Sequence, residues 1–119
     1  MKTHIFRGFI REVDYGENFS TIKLDGSDEP LAKEIEYILS KERVVTVRYF
    51  ISDKEKLIDE LNENLIKTIS GAISAEYSDN YSEYTGYLWT DEELNVGGHD
   101  LLQELENNKD KFLYLEIIL

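Results

Sequence analysis

Arg43-Val44-Val45-Thr46-Val47-Arg48-Tyr49-Phe50-Ile51 is the stretch whose reading decides the fold. It is rich in β-branched and aromatic residues, lacks Gly and Pro, and has the length of a central strand. Alternation puts Val45, Val47, Tyr49 and Ile51 on one face and Val44, Thr46, Arg48 and Phe50 on the other. One face suits cover by helices; the other is mixed.

Outward from this strand the chain alternates strand and helix signals. His4–Val13 and Phe19–Leu24 predict two strands joined through turn residues Asp14–Asn18. Pro30 and the spacing of Leu31, Ile35, Ile38 and Leu39 predict a helix ending near Ser40. After the central strand, Ser52-Asp53-Lys54-Glu55 has the form of a capping box. It predicts a second helix carrying Leu57, Ile58, Leu61, Leu65 and Ile69, with Gly71 as its C-terminal cap. Ile73–Tyr77 and Tyr84–Trp89 predict a second hairpin, and Asp91–Val96 a turn and short strand. Past Gly97-Gly98, His99–Glu106 predicts a third helix and Lys111–Leu119 a last strand.

The expectation is therefore one α+β domain over residues 1–119. It has one antiparallel or mixed sheet of five to seven strands and three helices mostly on one face, in the order ββαβ-α-ββαβ. That order suggests a duplicated unit; Glu34-Ile35 and Glu104-Leu105 each precede a unit's terminal strand, and little else matches.

The chain has 119 residues, no cysteine and a formal net charge of −12. Disulfides and thiolate metal sites are excluded, and a reducing cytoplasm is the expected compartment. The first seven residues hold no apolar run, so no secretory signal is expected, and no stretch approaches the ~20 apolar residues of a membrane span. Met1–Gly71 carries 14 acids and 11 bases, whereas Ala72–Asp110 carries 10 acids and Lys109 as its only base. That field disfavours direct contact with nucleic acid or anionic membranes. General solubility is the plainer account of it.

No catalytic or cofactor signature is present. Gly97-Gly98-His99-Asp100 lies at a predicted helix start, where free amides could hold an anion, but acids crowd it and no base is near in sequence. His4 and His99 stand in no metal-ligand spacing. No catalytic residue, metal or cofactor is assigned, and an enzyme ranks third among the readings.

Glu76–Glu93 holds four of the eight tyrosines and the only tryptophan, interleaved with six acids. Tyr and Trp give large contact area with few rotatable bonds. Asp79, Tyr81, Glu83, Tyr84, Tyr87, Asp91, Glu92 and Glu93 are the candidate partner-binding residues, all expected to be exposed except where an aromatic joins the core. The partner class is a basic protein surface, including one that normally binds nucleic acid. Small inhibitors and adaptors, phage-encoded ones among them, have this size and charge; that is analogy. The runner-up is a small-ligand-binding protein that sequesters a metabolite or nucleotide signal in an aromatic-lined pocket. A second surface follows from strand parity: Arg7, Phe9, Arg11, Arg48, Phe50 and Tyr114 share the face away from the helices. It is too apolar for a bare solvated face, so it is either covered by another segment or a homodimer interface.

Overall fold

The computed structural model describes residues 2–16, 19–39, 43–55 and 65–119. Its elements are β1 (Thr3–Gly16), β2 (Phe19–Leu24), α1 (Leu31–Ile38), β3 (Arg43–Ser52), β4 (Lys67–Tyr81), β5 (Leu88–Val96), β6 (His99–Asp100), α2 (Leu101–Glu106) and β7 (Phe112–Ile118). The strands form one sheet in the order β2-β1-β7-β3-β4-β5-β6. Every neighbouring pair is antiparallel. β3 is internal, with Val47 opposite Ile117 on one side and Ile69 on the other.

The expected count of three helices and the expected order need correction. The described residues form two helices, and residues 56–64, the heart of the expected linking helix, lie outside them. Its supposed end is strand: Ile69 and Gly71 belong to β4. From Thr68 to Ala75 a period of two, with Ile69, Ile73 and Ala75 on one face, outweighs the helical spacing of Leu61, Leu65 and Ile69. Ser52 closes β3, and its hydroxyl donates to the Lys54 carbonyl instead of accepting from an amide, so no capping box forms. The second hairpin is longer than expected. It pairs Ile73 with Val96 and Tyr81 with Leu88, and Ser82 to Tyr87 make its turn. The helix expected from His99 starts at Leu101, where the Gln103 amide donates to Asp100 Oδ1 at 3.1 Å.

The strand order has a two-fold pattern. β1-β2-α1-β3 and β4-β5-α2-β7 are equivalent units, and each gives its last strand to the other: β7 lies beside β1, and β3 beside β4. Leu31-Ala32-Lys33-Glu34-Ile35-Glu36 and Leu101-Leu102-Gln103-Glu104-Leu105-Glu106 are the corresponding helices. Gly8 meets the turn after β2, where a Cβ would lie 3.0 Å from the Asp25 carbonyl oxygen. Gly71 meets the turn after β5, where a Cβ would lie 2.5 Å from the Gly97 Cα. The matching amides also bond, Asp25 to the Phe9 carbonyl at 2.8 Å and Gly97 to that of Ala72 at 2.9 Å.

The sheet curls around both helices until β2 lies against β5. Val45, Val47, Tyr49, Leu113, Leu115 and Ile117 meet Leu31, Ile35, Leu101 and Leu105 in the main core. On the opposite face Phe50, Phe112 and Tyr114 form a smaller buried cluster, with Phe9 and Ile66 packed on it.

Candidate protein-interaction surface

β4 runs on past Ile73, where its ladder with β3 ends, so β4 and β5 continue as a two-stranded ribbon. α1 braces its near part: Glu36 accepts the Tyr77 amide at 3.0 Å, and Lys33 Nζ lies 5.8 Å from the Tyr77 ring centroid. The far part stands beyond that support, in a molecule measuring 52 × 31 × 22 Å.

The far end is aromatic and uncovered. Tyr84 is 99% exposed, Tyr81 63% and Tyr87 51%, and Leu88 and Trp89 are also exposed. Those are five of the ten exposed large hydrophobic residues among the described ones, gathered within nine positions. Gly86, at φ 72°, lets the turn close, with its amide on the Ser82 carbonyl at 2.8 Å.

Register divides the carboxylates between two faces. Asp79 and Glu92 lie on the helix-side face, whereas Glu76, Asp91 and Glu93 lie on the outer face, with Glu76 directly opposite Glu93. Asn80 ties one of them down, donating to Asp91 at 2.7 Å. Among the described residues none of these carboxylates, nor Glu83, is in an ion pair with a base.

Glu92 departs from the expected exposure. It is half-buried at the seam between β5 and β2 and accepts the Ile22 amide, while its Oε1 is buried without a partner. Burial pushes its carboxyl up to about 7; the Ile22 amide opposes that shift, and Glu106 and Asp79 add to it. Asp91-Glu92-Glu93 is thus not one exposed patch, because a strand turns neighbouring side chains to opposite faces.

On the second predicted surface Phe50 and Tyr114 are stacked at 5.3 Å and buried within the chain. Arg48 pairs with Glu116 at 3.3 Å, and Arg11 with Asp110 at 2.7 Å and Asp25 at 3.5 Å. Arg7 is exposed and Phe9 half-buried.

A polar cluster spread over four elements escaped sequence reasoning. The buried Tyr49 hydroxyl donates to Glu104, which also takes Lys67 Nζ at 2.6 Å and lies 3.1 Å from His99 Nε2. Burial works against the Glu104 charge, but hydrogen bonds from Lys67, Tyr49 and His99 outweigh it and hold its carboxyl below the usual range. Burial, with the bond to Glu104, raises the Tyr49 hydroxyl. Every member is satisfied within the cluster, so it serves to pin α2 and β6 to the sheet. No local motif signals it; only the β3–β4 register, which sets Tyr49 opposite Lys67, brings the parts together.

Among the described residues no group of His, Asp and Glu side chains is placed to hold a metal ion, and no helix is long and apolar enough to cross a membrane. No family model, curated protein or solved structure matches the chain.

Proposed function

We propose that the chain is a non-enzymatic binding protein, an acidic inhibitor or adaptor that docks the end of its β4–β5 ribbon on a basic protein surface. One observation carries this reading: Tyr81, Tyr84, Tyr87, Leu88 and Trp89 are exposed together, among carboxylates that have no cationic partner in the described residues. Exposed aromatic side chains gathered at one end of a ribbon suit an interaction site. The aromatics supply contact area, and the carboxylates around them favour a Lys- and Arg-rich partner while repelling acidic ones. The other face offers less, because Phe50 and Tyr114 are already buried within the chain.

The test is affinity capture from a cell lysate with the parent chain and with a Tyr81→Ser, Tyr84→Ser, Trp89→Ser variant. A basic protein held by the parent, released as salt rises and lost with the variant, supports the reading. A partner that binds both chains equally overturns the assignment of the site.

A further inference from the structure

The geometry points to a second binding site, for a small zwitterion with an apolar body such as a free hydrophobic α-amino acid. It lies where β1 meets the turn after β2, on the face away from the helices. A cavity of about 300 Å³ there is lined by Arg7, Gly8, Phe9, Asp25, Glu55 and Phe112. That is the lower end of the size range for small-ligand pockets.

The lining holds three chemistries side by side. Phe9 and Phe112 pack edge to face, their centroids 5.5 Å apart, and give an apolar wall. Arg7 pairs with no carboxylate among the described residues, although Asp25 and Glu55 line the same cavity. Its cross-strand neighbour Tyr114 is committed, donating to Glu116 at 3.1 Å, so among the described residues no side chain takes up the guanidinium fork. Among the described residues Glu55 is in no ion pair, and Asp25 pairs with Arg11 at 3.5 Å. A guanidinium binds a ligand carboxylate in a two-point fork. The two carboxylates suit an ammonium, and the rings suit the side chain between. A dianion such as a phosphate would face Asp25 and Glu55, so the zwitterion is the better match.

The two-fold pattern of the fold sharpens the assignment. The equivalent corner in the other unit has Ser70, Gly71, Ala72 and Gly97 in place of Arg7, Gly8, Phe9 and Asp25. Both corners need the glycine, because strand and turn approach closely in each. Only one of them carries a cation, an aromatic ring and an acid, so the backbone alone does not require those side chains.

The experiment is a titration of the isotopically labelled full chain, followed by amide chemical shifts. The probes are L-phenylalanine, L-leucine and L-methionine, with N-acetyl-phenylalanine and phenylalaninamide as controls. The expected result is saturable shifts at Gly8, Phe9 and Phe112 from at least one amino acid, with an affinity of about millimolar or tighter for so small a ligand. Arg7→Gln and loss of the carboxylate in phenylalaninamide should each weaken binding at least tenfold, and N-acetylation should do the same. Arg7 is exposed, so an unchanged melting temperature will show that the variant is folded. The proposal is overturned if none of the three amino acids gives saturable shifts there, if Arg7→Gln binds like the parent, or if N-acetyl-phenylalanine binds as well as phenylalanine.

Discussion

The Ile22 backbone amide donates to the carboxylate of Glu92, across the seam where the curled sheet brings β2 against β5. The bond fastens two strands that share no ladder, and it sets a half-buried acid beside Asp79 and Glu106. Burial raises the Glu92 carboxyl to about 7, so the fold binds its proton more tightly than the unfolded chain does. The resulting stability is full below the ordinary carboxylate range and is lost as pH rises through about 7. Glu92→Gln keeps a carbonyl for Ile22 and removes the charge. At pH 8 it should stabilise the fold by roughly 1–3 kcal/mol. Near pH 4 the gain should vanish. Urea unfolding of both chains at the two pH values checks the sign; a variant less stable than the parent at pH 8 would show that the charged form is the one the seam prefers.

Gly71 and Gly97 should tolerate substitution least. An added Cβ on Gly71 would lie 2.5 Å from the Gly97 Cα, and one on Gly97 would lie 2.4 Å from the Ser70 carbonyl oxygen; both residues have positive φ. Gly71→Ala should cost about 3 kcal/mol or more. Gly98→Ala, at φ 84° with open space around it, should cost only about 1 kcal/mol. Thermal unfolding of the two variants ranks them, and equal losses would mean that the contact between the turns is not tight.

Val47→Asp should abolish folding or come close to it. Val47 has no exposed surface and sits mid-sheet between Ile117 and Ile69. The carboxylate would be buried in the apolar core, and the expected loss is about 4 kcal/mol or more. Circular dichroism and a melting curve are enough to see it.

The central strand, α1 and the closing strand were legible because each follows one period over its whole length. The stretch from Lys67 to Gly71 was not. Leucines at helical spacing run without a break into Ile69 and Gly71, and only the paired register with β3 shows that the chain is strand by Lys67. Ser52-Asp53-Lys54-Glu55 has the residues of a cap, but the Ser52 hydroxyl turns to a carbonyl. The aromatic-acid stretch was legible as chemistry. Its division into two faces was not, because the register of Asp91–Glu93 depends on a turn at Ser82–Tyr87, later in the chain than the gap between the strands predicted at Ile73–Tyr77 and Tyr84–Trp89. The two-fold pattern showed in sequence only as Glu34-Ile35 against Glu104-Leu105, since equivalent positions elsewhere share size or conformation but seldom identity.

Glu76 and Glu93 face each other across the outer side of the ribbon, an arrangement that costs stability and that a purely structural hairpin would not need. Charge reversal with Glu76→Lys should therefore stabilise the chain by about 0.2–1 kcal/mol, through a new cross-strand ion pair. If the ribbon docks on a basic partner, the same change should weaken that complex mainly by slowing association, and the slowing should shrink as salt rises and screens the field. Tyr84→Ala should behave in the opposite way. Its ring is 99% exposed, so stability should stay within about 0.5 kcal/mol of the parent. Loss of a packed aromatic contact should act chiefly on dissociation. Once a partner is in hand, association and dissociation rates at two salt concentrations separate the effects. A chain made more stable by Glu76→Lys yet unchanged in both rates would place the contact away from the outer face of the ribbon, and an unchanged dissociation rate in Tyr84→Ala would remove the turn from it as well.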